Sequence, residues 1–428
     1  KEASRCFVMA RRGRKPKAVK PKEFVFSNDK DYNTHHTAGT KGMLFSSAAK
    51  FMNLFPQGKK DFYMTKGKGF EFHLLDDTYL LQIDFRGQFR ASFPHSNFPT
   101  SENEFSDEEI FLGISRARIK MGGYVLKPYY KFYLEQDVRG GNLLDFRAEI
   151  EKLPYLKLRV GQWKARYSRE RVISSGAQTG LERSLINRVF TIDRQQGVSL
   201  YGNLDGGGAA NFNYWIEILA GSGRGAGLGD DENLMYMVRT QWNPNGKELG
   251  FSGSDLEFHE KFVSSIAIAG VTNTSRFTRF STSGGGQLFG FEPGIDGQYK
   301  VDQALFETAF KYRGLSFDQE LHYKKIDDRV NLEETTLIGN YFQVGYFFHY
   351  LFPKFPKPME IFARQAFYDP DIDLDNDNNY EYTFGVNWFF KGHRNKLTAD
   401  YSYLKFNEFN PEGNSEHMFR LQWDISIF

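Results

Sequence analysis

Apolar and polar residues alternate one for one in TYLLQIDFRGQFRASF, residues 78–93. Tyr79, Leu81, Ile83, Phe85, Phe89, Ala91 and Phe93 share one parity, and Gln82, Asp84, Arg86, Gln88, Arg90 and Ser92 share the other. A period of two sends successive side chains to opposite faces of a β-strand, so this segment makes a strand with one greasy face and one charged face. The pattern recurs from about residue 69 to the C-terminus, in YLKLRVGQWK, FNYWIEIL, QALFETAFKY, LSFDQELHYKK, YEYTFGVNWFF and HMFRLQWDISIF among others, and sixteen candidate strands are counted. Connections after odd-numbered strands are mostly long and those after even-numbered strands mostly tight, with 139–141 as the short exception and 245–259 as the long one. Long loops at one end and short turns at the other are the signature of an outer-membrane barrel.

A soluble β-sandwich also alternates, but its outer faces need not carry rows of full charges. Here one strand carries Asp145, Arg147, Glu149 and Glu151, and another Asp318, Glu320, His322 and Lys324, opposite heavily aromatic faces. No domain break or helical cover follows residue 69. In lipid every backbone polar group must be satisfied internally, which strands achieve by closing into a ring without edges. Composition agrees: 17 % aromatic residues, 41 Gly and only 14 Pro, with a mean hydropathy of −0.54, suit many strands that each bury one face. No run of 18 apolar residues is present, which excludes a transmembrane helix. The expected fold is therefore all-β, a transmembrane antiparallel β-barrel of about 16 strands over residues 69–428. Its last strand carries Phe419, Leu421, Trp423, Ile425 and Ile427 on one parity, and Phe428 falls on the other, so either a register shift or an imperfect assembly signal is expected there.

Residues 1–68 are expected to form an N-terminal non-barrel extension, basic and largely irregular, periplasmic or lodged in the lumen as a plug. The first 22 residues hold nine Lys or Arg and one Glu, and such a block repels itself. RGRKPK resembles a minor-groove hook, but a flexible tail is the better reading and no nucleic-acid partner is expected. Residues 41–55, KGMLFSSAAKFMNLF, suit a short amphipathic helix. The start KEASRCFVMARRGRK has no hydrophobic stretch of the secretory kind, so a signal peptide was removed or never existed. Cys6 has no partner for a disulfide and lacks the small apolar neighbours of a lipid anchor. His35 and His36 receive no role.

The chain is nearly neutral, yet between Lys164 and Arg194 seven cations (Lys164, Arg166, Arg169, Arg171, Arg183, Arg188, Arg194) meet three acids (Glu170, Glu182, Asp193). Three motifs frame this region: LRVGQWK (158–164), LERSLIN (181–187) and DRQQGVSLYG (193–202). In that order they resemble the phosphate-selective porins of the O and P type over about residues 69–428. ARY after Lys164 and the basic extension depart from the family pattern.

The resemblance implies a sixteen-stranded barrel in the bacterial outer membrane, usually a homotrimer, that passes small anions, phosphate or polyphosphate, by diffusion. It also implies that the third long loop, 165–193, folds into the lumen. The seven cations would then sit at the constriction, where fixed guanidinium charges replace hydration lost by an entering anion. Strand parity adds a lumen file of Arg86, Arg90, Arg116, Arg118, Lys157 and Arg159, with Asp84, Glu149, Glu151, Asp318 and Glu320 on the same faces as pairing partners. Outer-membrane lipid and lipopolysaccharide surround such a barrel. The alternative is an adaptor barrel whose N-terminal tail binds a periplasmic partner or plugs the lumen.

DPDIDLDNDNN places Asp369, Asp371, Asp373 and Asp375 at alternate positions, which suits either a weak Ca²⁺ site or, preferably, a solvated acidic tip, since the Gly and Glu of an EF-hand loop are missing. GSGRGAGLG (221–229) lacks the ending of a phosphate loop and reads as a flexible loop. No cofactor is expected, and no His lies in a recognisable catalytic arrangement, so an enzyme is not expected.

Overall fold

The computed structural model describes residues 62–66, 69–99, 101–106, 109–225, 232–281, 285–407 and 413–427. Two compact units are distinguished, Lys1–Pro56 and Gln57–Phe428, and every described residue belongs to the second. The basic tail, the expected helix at 41–55, Cys6, His35, His36 and the terminal Phe428 lie outside the described residues.

Eighteen strands follow in chain order: β1 (Phe62–Lys66), β2 (Phe70–Leu74), β3 (Tyr79–Phe93), β4 (Phe111–Val125), β5 (Lys127–Asp137), β6 (Asn142–Leu153), β7 (Leu156–Lys164), β8 (Arg194–Asp205), β9 (Asn211–Leu219), β10 (Met235–Trp242), β11 (Val263–Ser275), β12 (Tyr299–Tyr312), β13 (Leu315–Asp328), β14 (Glu333–Tyr346), β15 (Met359–Asp369), β16 (Asn379–Phe389), β17 (Asn395–Phe406) and β18 (Asn414–Ile427). From β3 to β18 each strand pairs antiparallel with the next. β18 returns to β3, with Phe419 opposite Phe93 and Ile427 opposite Phe85, and closes a ring of sixteen strands. The barrel is the one the alternation predicts.

The hairpin β1–β2 stands outside that ring and outside the sixteen strands counted from the sequence; β1 falls within the stretch expected to be irregular. β2 pairs with the start of β3, Phe70 opposite Ile83 and Leu74 opposite Tyr79. It thereby covers the part of β3 that β18, ending opposite Phe85, does not reach. Strands of five residues are too short for a period of two to be read against chance.

The two faces sort as a membrane barrel requires. Arg90, Arg239, Lys324 and Lys396 are buried inside, whereas Ile268 (61 % exposed), Phe384, Leu421 and Trp423 point outward. In a soluble protein this inversion of charge and apolar surface is unstable; with hydrocarbon as the outer solvent it is the favoured arrangement. At the closing seam the rings of Phe89 and Trp423 lie 6.1 Å apart on that outer face. Among the described residues no helix is long and apolar enough to cross a membrane, so the strands make the crossing. Between β12 and β13 only Arg313 and Gly314 turn the chain, both at positive φ (46° and 85°), the two-residue geometry whose twist matches the strands.

The long connection between β10 and β11, which the alternation of loop lengths marks as irregular, turns back into the lumen. Gly253 N donates to Ala177 O at 2.8 Å, Ser254 Oγ to Glu360 at 2.6 Å, and Lys311 Nζ to Ser252 Oγ at 2.8 Å. It meets the long loop that enters between β7 and β8.

Candidate functional site: the constricted lumen

The sequence motifs form the root of that loop. GQWK and RQQG are cross-strand partners, pairing Gly161 with Gly197, Gln162 with Gln196, Trp163 with Gln195 and Lys164 with Arg194. Gly161 has φ +120°, and a Cβ there would stand 2.2 Å from the carbonyl of Phe146, so no other residue fits without backbone movement. Gln162 and Gln195 accept hydrogen bonds from the backbone amides of Gly225 and Gly223 at 2.8 and 2.9 Å, which fixes the described part of the glycine-rich loop. Trp163 donates to Glu217 at 3.1 Å.

From this root, residues 165–193 cross the lumen. Ser168 caps α1 (Arg169–Val172), accepting from Arg171 N at 3.2 Å. The first-turn amides of Arg169 and Glu170 donate to Glu307 and Glu320 of the far wall at 2.9 and 2.7 Å. These carboxylates satisfy donors that a helix start leaves open. Further along, Lys396 donates to Gln178 O at 2.7 Å, Asn387 to Thr179 O at 2.8 Å, and Arg364 to Glu182 O at 2.7 Å. Leu185 N, just before α2 (Ile186–Phe190), donates to Glu381 at 2.7 Å, and Lys324 donates to Val189 O at 2.9 Å. The loop is thus tied to β12, β13, β15, β16 and β17.

The seven cations divide into three groups. Arg169 is 0 % exposed; its Nε lies 2.8 Å from Asp318, its Nη2 reaches Gly250 O, and its guanidinium lies over Phe251 at 5.3 Å. This corrects its expected place in an anion filter: it is held in protein on every side. Lys164, Arg166 and Arg194 face a slot of about 190 Å³ between the loop and β4–β8. Arg171, Arg183 and Arg188 face a larger cavity at the long-loop end.

The expected lumen file divides as well. Arg118 and Arg159 line the slot, joined by Lys120 and Arg147, and Arg116 lines the upper cavity. Arg86 donates to Ser174 at 2.9 Å, and Arg90 pairs with Glu182, so both brace the loop. Lys157 lies over the ring of Tyr201 at 5.8 Å and lines neither space. Most acids on these faces do pair: Arg118 with Glu135 at 2.9 Å, Arg159 with Glu149 at 2.6 Å, Arg194 with Asp145 at 2.5 Å, and Arg394 with Asp84 at 3.1 Å.

Seven cations and two carboxylates, Glu135 and Asp145, line the slot. Lys120, Lys164 and Arg166 have no carboxylate at ion-pair distance among the described residues; Lys164 Nζ donates instead to Arg171 O at 3.1 Å. Burial, then Arg159 and Arg147, lower the pKa of Arg166 to about 10, so it stays cationic at neutral pH. The acidic connection after β15 brings no cluster together. Asp369 accepts from Asp371 N at 3.1 Å and Asp371 from Asp373 N at 3.2 Å. Among the described residues no three His, Cys, Asp or Glu gather at metal-binding spacing.

The sequence matches the family described as phosphate-selective porin O and P over residues 83–422. The chain belongs to that family. No curated protein matches it. Among solved structures, this porin is similar to the outer membrane channel DcaP of Acinetobacter baumannii at 10 % identity, with a TM-score of 0.54, covering 84 % of this chain and 100 % of that one. Salmonella typhi OmpF, in complex with daunomycin, aligns at 8 % identity and TM-score 0.53, covering 83 % and 100 %. Pseudomonas putida OprB aligns at 8 % and 0.52, covering 81 % and 94 %. At such identities the likeness is one of fold. Family and fold place the porin in the bacterial outer membrane, as a channel-type barrel.

Glu170 gives the docked loop a pH dependence. Its carboxylate accepts from Ser184 N and Oγ at 2.7 and 2.8 Å and lies near Arg364 and Glu320. Burial raises its pKa to about 7, against the pull of Arg364 and with the help of Glu320. A carboxyl raised above its unfolded value binds a proton on folding. Its contribution is therefore fully present below pH 4.5 and is lost as pH rises to about 7. The expected result is that the porin's melting temperature falls between pH 5 and pH 8, by an amount on the order of 3 kcal/mol in stability. Glu170→Gln is expected to flatten that slope, as thermal unfolding in detergent at several pH values measures. Burial pushes Glu182 upward too, but Arg116 and Arg90 outweigh it and hold it below the usual carboxylate range. Its effect therefore falls at more acid pH than this window.

Proposed function

We propose that this porin is a passive diffusion channel favouring small anions, with phosphate or polyphosphate as its physiological cargo. The observation that carries this reading is the slot wall, where seven basic side chains, five of them arginines, meet two carboxylates. An anion entering so narrow a passage sheds water, and unneutralised ammonium and guanidinium groups offset that loss, while a cation gains nothing comparable. No nucleophile–base arrangement is needed, and catalysis has no part in the proposal.

The same reading takes residues 69–428 as the barrel, residues 1–68 as a basic extension able to meet a periplasmic partner, and three copies as the assembled state in lipid and lipopolysaccharide. The mass of the complex extracted in mild detergent tests the trimer.

The deciding experiment is the reversal potential in a planar bilayer across a KCl gradient, followed by phosphate. The expected result is a potential of the sign set by chloride and a current reduced by millimolar phosphate. Cation preference or silence overturns the reading and favours an adaptor barrel whose partner is sought through residues 1–68.

A further inference from the structure

The cavity at the long-loop end of the lumen has a different character from the slot. It holds about 550 Å³ and lies between the connections after β3, β7, β11 and β15. That volume is in the range of sites for organic molecules and far exceeds the space of an inorganic phosphate. Its apolar lining is built from Phe98, Leu288, Phe289, Phe291, Tyr368 and Phe406. Phe289 is 54 % exposed.

The same cavity has a cationic lining. Arg116 and Arg171 are neutralised by Glu182 at 2.7 Å and Asp193 at 3.0 Å. Arg183 instead donates only to the carbonyls of Glu170 and Ile173, at 3.0 and 2.8 Å. Arg279 donates through Nε to Gln287 O at 3.1 Å, while its Nη1 is shut off from water with no partner. Arg188 is exposed and has no carboxylate at ion-pair distance among the described residues. Three guanidinium groups and these aromatic side chains thus line one cavity.

We propose that this vestibule binds organic anions carrying a planar apolar body, the aromatic carboxylates being the matching class, before they enter the slot. The carboxylate meets Arg279 and Arg188, and the ring covers Phe289 and its neighbours. The proposal rests on the anion-channel reading and extends its substrate class beyond inorganic anions.

The test compares benzoate with acetate, which carry the same charge and differ in the ring. In planar bilayers, benzoate added at the long-loop side is expected to reduce the KCl current at about tenfold lower concentration than acetate. Phe289→Ala is expected to weaken benzoate by about tenfold and leave acetate unchanged, and Arg279→Ala to weaken both. Equal potency of the two acids, or unchanged benzoate potency in Phe289→Ala, overturns the vestibule. Calorimetric titration of benzoate into the purified porin separates the two proposals. Binding heat lost in both variants supports the vestibule even where the KCl gradient shows cation preference, and heat unaltered in both overturns it even in an anion-selective pore.

Discussion

Arg169→Ala is expected to widen the pore, raising single-channel conductance severalfold and lowering the melting temperature of the barrel. The side chain joins three bodies: the loop that carries it, Asp318 on β13 at 2.8 Å, and the inward turn through Gly250 and Phe251. Truncation leaves Asp318 buried without its strongest partner, a class of change that costs about 3–5 kcal/mol. The barrel ring does not close through this contact, so the cost falls first on the docked loop, which opens locally before the whole protein unfolds. Lysine is a poor substitute, because it keeps the charge but loses the planar fork and the stacking on Phe251.

Two companions distinguish an anchor from a filter charge. If Arg169 acted by attracting anions, Arg169→Ala would reduce anion preference and Asp318→Asn would raise it, with conductance little changed. If it anchors the loop, both variants widen the pore. Lys354→Ala, at an exposed position of the connection between β14 and β15 and away from the loop, is expected to leave conductance near that of the parent. Planar-bilayer recordings of the four proteins decide, and unaltered conductance and melting in Arg169→Ala would show that the loop is held elsewhere.

The ring of strands was legible because its cause is local. Lipid outside and water inside impose a period of two on every strand, and TYLLQIDFRGQFRASF obeys it without reference to any distant residue. The same parity placed Arg90 and Lys324 on the inner face. The fate of the loop cations was not legible, since it is set by contacts far apart in the chain. Arg169 and Asp318 are 149 residues apart, and Leu185 and Glu381 are 196. Nothing in the local pattern separates Arg169, sealed against Phe251, from Arg166, whose guanidinium lies over the same ring at 5.1 Å and still lines the slot. One signal was available: 245–259 breaks the alternation of long and short connections, and that turn is the one folded inward to meet the loop.

The second large effect is expected from the cations without partners. Replacing Lys120, Lys164 and Arg166 together by Gln is expected to lower the chloride-to-potassium permeability ratio by about tenfold at 0.1 M salt, and by less at 1 M. In water a charge about 5 Å from a passing ion contributes about 0.8 kcal/mol, roughly fourfold in partition, and screening makes three charges less than multiplicative. The paired arginines behave differently. Arg118→Gln leaves Glu135 beside Arg194 at 3.8 Å, and Arg194→Gln leaves Asp145 with Arg147 alone at 2.8 Å. Each of those variants therefore exposes a carboxylate as well as removing a cation, with some charge taken up by the remaining neighbour. The triple variant removes three basic groups and exposes no carboxylate, so its reversal potential reads the slot's unpaired basic side chains directly. A ratio unchanged from the parent at 0.1 M salt would mean that permeating ions do not travel along this wall, and the search for the conducting path would move to the other side of the loop.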